Sequence, residues 1–181
     1  MLFTHDTEIA LQAAAALVNT ATAPDSVDTP EALDRFVEEW GWTGQRRHDD
    51  KELQQVRRLR PRLRDIWVGT EQEIVDGVNA LLVDARALPQ LVRHDQYDWH
   101  LHATSSEAPL AERMAVEAAM ALVDVVRAGE ISRLRTCAAQ DCDDVLIDLS
   151  RNRSKRYCDG GCGNRVAAAA YRARQQEGTG S

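Results

Sequence analysis

The residues best placed to do chemistry are four cysteines near the C-terminal end, spaced Cys137-x4-Cys142-x15-Cys158-x3-Cys162. Two close pairs of thiolates meet the demand of one tetrahedral zinc ion, with bonds of about 2.3 Å and no open position for a substrate. The gaps of four and three are wider than the usual two, so spacing alone leaves two disulfides or scattered core cysteines as alternatives. His100 and His102 share one face of a short strand, but no third ligand stands near them, and they are read as exposed strand histidines. No glycine-rich phosphate loop, nucleophile elbow or metal-hydrolase histidine helix occurs, so an enzyme is not expected.

The charge around the cysteines differs from that of the rest of the chain. Residues 1–130 carry 13 Lys and Arg against 23 Asp and Glu, a balance of −10, whereas residues 131–181 carry 9 against 6, a balance of +3. Between 151 and 174, Arg151, Arg153, Lys155, Arg156, Arg165, Arg172 and Arg174 face a single acid, Asp159. A polyanion would therefore meet the C-terminal section and be repelled by the rest. Some of this basicity also serves the metal, since four thiolates around Zn²⁺ leave a local charge of −2. Arg165 is poised between three uses: bonding the thiolates, pairing with Asp148, or reaching a phosphate. Gly163 and Asn164 shape the start of a helix.

The elements that must position these groups read as α+β: a mainly helical N-terminal domain with a short hairpin, then a knuckle, a β-hairpin and a helix. "IALQAAAALVNT" is apolar nearly all round, as a buried helix is. Thr29 and Pro30 open a helix with Leu33, Phe36, Val37 and Trp40 on one face and Gly41 as its stop. From Lys51 to Trp67 apolar residues recur every three or four positions; Pro61 is expected to kink or split this segment. Its arginines, Arg57, Arg58, Arg60, Arg62 and Arg64, read as a solvated face, with an anion site as the alternative. Thr70 and Glu73 form a capping box ahead of Ile74, Val78 and Leu81. Tyr97, Trp99 and Leu101 alternate with polar residues as a hairpin strand does. A long helix then carries Leu110, Met114, Leu122, Val125 and Val126 to Gly129. Trp40, Trp42, Trp67 and Trp99 read as core, with an effector pocket as the alternative.

The chain accordingly divides into residues 1–129, a cysteine-stapled segment 130–176 and a flexible tail 177–181. About 50 residues rarely fold without a disulfide or metal staple. Val145 to Ile147 is expected to pair with a return strand ending at Tyr157 and Cys158, around a turn at Arg151 to Ser154. After Cys162, "GNRVAAAAYRARQQ" is strongly helix-forming, with Val166, Ala170 and Ala173 expected to cover that hairpin. No run is long and apolar enough for a membrane span, and acids in "MLFTHDTE" argue against a secretory leader. A cytoplasmic location, where thiols stay reduced, is expected.

The segment "CAAQDCDDVLIDLSRNRSKRYCDGGCGNRVAAAAYRARQQ" resembles the CGNR zinc-finger family through Ser150 to Ser154, Tyr157-Cys158 and Cys162 to Arg165. The helices before it, with Val18-Asn19-Thr20, resemble the ABATE domain, which precedes this finger in bacterial stress-induced transcription regulators. That resemblance implies one structural Zn²⁺ and binding to duplex DNA. The order of knuckle, hairpin and helix is itself treble-clef-like, and the basic turn and helix offer Arg151, Asn152, Arg153, Lys155, Arg156, Arg165, Arg172 and Arg174 as the DNA contacts. The acidic N-terminal domain, repelled by a phosphate backbone, is expected to sense a small-molecule effector or form a homodimer. A zinc-stabilised module that recruits another protein is the alternative. Asp143 and Asp144, beside the second cysteine, stand where charge would repel phosphate.

Overall fold

Caps and periodicity set the helices where the sequence places them. The computed structural model describes residues 2–93 and 100–178. In chain order it holds α1 (His5–Asn19), α2 (Pro30–Glu39), α3 (Asp50–Val68), α4 (Glu71–Asp84), β1 (Gln90–Val92), β2 (His100–His102), α5 (Leu110–Arg127), β3 (Leu134–Thr136), β4 (Val145–Ile147) and α6 (Cys162–Gly178). The Thr29 hydroxyl accepts from the Ala32 N–H to start α2, and the Asp49 carboxylate accepts from the Glu52 N–H to start α3. Both halves of the Thr70–Glu73 capping box form at α4. Helix α1 sends Leu11, Leu17 and Val18 into a core shared with Leu33 and Phe36 of α2, Val56 and Leu63 of α3, Ile74 and Leu81 of α4 and Met114 and Leu122 of α5.

Pro61 does not split α3, which runs unbroken through it. Proline removes one helical hydrogen bond, but here it faces solvent while Leu59, Leu63, Ile66 and Trp67 are buried on the opposite side. Packing on both sides of the defect keeps the helix whole. The arginines of α3 are mostly engaged within the protein. Arg60, only 5% exposed, holds Asp25 with two hydrogen bonds of 2.8 Å, and Arg57 pairs with the same carboxylate. Arg62 pairs with Asp84, and Arg64 donates to the Asp143 carbonyl.

The first hairpin forms as β1 and β2, antiparallel, with Gln90 opposite His102 and Val92 opposite His100. Tyr97 and Trp99 lie outside the described residues. Trp67 is buried in the core, and Trp40 and Trp42 pack against it.

The second hairpin is not the one expected. β4 pairs with β3, which precedes the first cysteine, in the register Leu134–Ile147, Arg135–Leu146 and Thr136–Val145. The segment 151–158 does not return along it as a strand. Asp148 is the reason. Its carboxylate is fully buried and accepts from the Ser150 N–H, the Ser150 hydroxyl and the Lys155 N–H, so the chain curls around it. Burial opposes the charge on Asp148, but the Ser150 donors, the Arg135 guanidinium and the Lys155 N–H outweigh it and hold the carboxyl below its usual range.

β4 also joins the two parts of the chain. Its alternate residues part company, as strand geometry requires: Val145 and Ile147 enter the main core beside α1, while Leu146 packs with the cysteines. The Asp148 N–H bonds to the Arg133 carbonyl and the Cys137 N–H to the Asp144 carbonyl, so the even-numbered backbone groups face β3. Val145 faces away, where a third strand would pair, and there the Asn19 side chain takes the strand's place. It donates to the Val145 carbonyl at 2.9 Å and accepts from the Val145 N–H at 2.8 Å. The Trp67 indole N–H adds a bond to the Leu146 carbonyl.

Candidate metal centre

The knuckle between β3 and β4 carries Cys137 and Cys142, and the turn into α6 carries Cys158 and Cys162. Among the described residues these four Sγ atoms all lie within 4.8 Å of one another, and all four cysteines are free. The Cys142–Cys158 and Cys158–Cys162 sulfur separations are 3.7 and 3.5 Å. A disulfide needs about 2.05 Å. Tetrahedral bonds of about 2.3 Å place the sulfurs about 3.8 Å apart, so the set fits one zinc ion.

The donor chemistry agrees. Burial pushes the Cys142 thiol up to about 11, and burial together with the Asp144 carboxylate drives Cys158 higher. At Cys137 burial is outweighed by backbone N–H groups of Ala139 and Cys158, which lower it. Such a crowded set ionises together only when a cation compensates it. Cys162, first residue of α6, adds the favourable end of a helix dipole.

Two glycines make the second pair possible. Gly161 has φ +83°, in the left-handed region, and turns the chain into α6. A Cβ on Gly163 would stand 3.3 Å from the Tyr157 ring, which packs against the cysteine cluster. Arg165 reaches back over this turn, donating to Asp141 at 2.8 Å and to the Cys162 sulfur at 3.3 Å. Of its three anticipated uses the structure shows the thiolate one, with Asp141 in place of Asp148. Groups around a metal ligand typically change metal affinity about 10- to 100-fold when removed. Arg165→Ala is accordingly expected to raise the zinc dissociation constant at least several-fold in a chelator competition, leaving the secondary structure intact.

The other basic candidates separate into two groups. Arg153 pairs with Glu130 at 3.0 Å, Lys155 with Asp159 at 3.0 Å, and Arg156 lies over the Tyr157 ring. Arg151, Asn152, Arg172 and Arg174 are exposed, and among the described residues no partner occupies them. Arg153 holds φ +52°, a left-handed conformation that disfavours any residue with a Cβ. The Ser154 N–H to Ser150 hydroxyl bond and the buried Arg133, which grips the Asp148 and Ser150 carbonyls, keep the loop in that shape. Asp144 lies between Thr22, which donates to its carboxylate, and Cys158, while Asp143 is exposed and accepts from Arg64 only through its backbone carbonyl.

Residues 133–175 match the CGNR zinc finger, and residues 11–129, well over half of the chain, match the ABATE family, described as "Putative stress-induced transcription regulator". The chain belongs to the ABATE family. No curated protein matches it. The ABATE segment ends just before the CGNR finger begins, and the finger's four cysteines are those that converge here, so the centre is a structural zinc site with one ion. In this ABATE chain, among the described residues, no helix is long and apolar enough to cross a membrane.

Helix α6 departs from the expected packing. Residues 164–176 are all exposed, including Val166, Ala170 and Ala173, which were to cover a hairpin. β4 has no uncovered face to offer, since α1 takes one side of it and the cysteine cluster the other. α6 also continues to Gly178, two residues into the anticipated tail; residues 179–181 lie outside the described residues. Sequence reasoning missed Asn19, Trp67, Arg133, Arg135 and Asp148 as residues that hold the finger in place. The Val18-Asn19-Thr20 triplet was the one visible signal.

Proposed function

We propose that this ABATE protein is a cytoplasmic, non-enzymatic transcription regulator that binds duplex DNA through its finger, while the N-terminal domain senses an effector or pairs two copies. The observation that carries this reading is the set of unpaired guanidinium heads, Arg151, Arg172 and Arg174, on the finger. On α3, by contrast, Arg57, Arg60 and Arg62 are each paired with an acid. The centre itself, a zinc knuckle whose second cysteine pair opens a helix, is read as treble-clef-like. It leaves no coordination position for a substrate, which supports a structural use.

Phosphate contacts make binding salt-dependent, with a log–log slope near −0.9 for each contact. The triple variant Arg151→Ala, Arg172→Ala, Arg174→Ala is expected to shallow that slope by about 1–3 while zinc content stays unchanged. Arg153→Ala and Lys155→Ala, whose charges are already paired, should change it less. A triple variant that binds as tightly as wild type would remove the finger from the DNA site. Tyr171, 58% exposed on α6, favours the alternative of a protein-recruiting helix, for which binding would lack this salt slope.

A further inference from the structure

Helix α6 has 17 residues and so spans about 25 Å. Such a helix is usually amphipathic and buries one face, yet α6 is exposed on every side from Asn164 to Gln176. It contains no acid from Cys162 through Gln176, and two of its arginines, Arg172 and Arg174, have no partner among the described residues. A surface of this charge fits a polyanion.

The two arginines do not share a face. At 100° per residue, Arg165, Ala168, Ala169, Arg172 and Gln176 fall on one side, with Gln175 at its margin. Arg174 lies on the opposite side, with Ala167 and Ala170. The first side combines two small residues, which let the backbone approach closely, with arginine and glutamine. Arginine bonds guanine O6 and N7 in pairs, and glutamine bonds adenine N6 and N7. The DNA major groove, about 12 Å wide, admits one α-helix. Alanine side chains keep α6 narrow at its middle.

Building on the DNA-binding reading above, we infer that α6 lies in the major groove with its Arg172 face toward base edges and Arg174 on the outward side, while Arg151, outside the helix, holds a phosphate. Sequence preference then resides in Arg172 and its neighbours. Arg151 supplies affinity that does not depend on sequence, because phosphate contacts position and base contacts specify.

The test uses zinc-loaded full-length protein. Duplexes are selected from a randomised pool, and the selected and scrambled sequences are then compared with wild type, Arg172→Ala and Arg151→Ala. Methyl green and netropsin serve as major- and minor-groove competitors. A selected motif is expected, with methyl green displacing the protein and netropsin leaving it bound. Arg172→Ala should shrink the preference for the selected duplex by about 5- to 100-fold, whereas Arg151→Ala weakens both duplexes alike. Displacement by netropsin alone overturns the assignment. So does an Arg172→Ala loss of equal size on both duplexes. If wild type binds no duplex at any salt concentration, the DNA-binding reading itself fails and this assignment falls with it.

Discussion

Stripping zinc from the full-length protein is expected to lower the stability of the whole chain and not only of the finger. Structural zinc supplies about 10–16 kcal/mol of apparent binding free energy in small fingers. Without it the cysteine cluster reverts to buried thiols, with Cys142 at about 11, and loses the ion that joins β3, β4 and α6. Leu146 then loses its packing, while its neighbours Val145 and Ile147 belong to the helical core. For a chain of this size, losing even about 4 kcal/mol shifts Tm by about 8–16 °C. Circular dichroism melts with zinc and with excess chelator measure this, and the main helical transition should fall by at least that range. An unchanged helical transition would show that the finger is merely appended.

Cutting the chain after Glu130 should be equally damaging to both pieces. Charge alone separates residues 131–181 from the acidic remainder. The packing argues otherwise. Residues 1–130 would lose Val145 and Ile147 from the core, about 1.5–3 kcal/mol each. The buried Trp67 indole N–H would lose its acceptor and the Asn19 amide both its bonds, at about 1–3 kcal/mol each. The total of about 5 kcal/mol or more approaches the whole stability of a typical domain. Residues 131–181 would in turn expose those apolar side chains and lose the Asn19 edge of β4. Urea titrations should therefore find no cooperative unfolding in either fragment, and mixing them with zinc should restore it. Cooperative unfolding of both fragments alone would overturn the shared core.

What the sequence made legible follows from which interactions are local. Thr29 with Pro30, and Thr70 with Glu73, act within one helical turn, so their helices could be read directly. The cysteine ligands were legible because four thiols in two pairs have few other uses. Interactions spanning long stretches of chain were not. Asn19 meets Val145 across 126 positions, and Trp67 meets Leu146 across 79. In the sequence Asp148 stands only as one of three uses for Arg165, and only its burial shows that it folds the Ser150–Lys155 loop and abolishes the expected return strand. Pro61 failed as a breaker for a similar reason, because tertiary packing on the opposite face outweighs one lost bond. Helix α6 was legible as a helix through its alanines. Its exposure was not, since nothing in "VAAAAYRARQQ" tells that α1 already covers β4.

The function proposed for the zinc-held basic surface requires that it meet DNA. The most direct measurement is a fluorescence anisotropy titration of full-length protein on duplex DNA across a salt series, with zinc bound and after chelation. Zinc-bound protein should bind with an affinity that falls as salt rises, with a log–log slope of about −0.9 for each phosphate contact, and the chelated protein should lose that binding. No binding by the zinc-bound protein, or binding whose strength ignores salt and zinc alike, would contradict it.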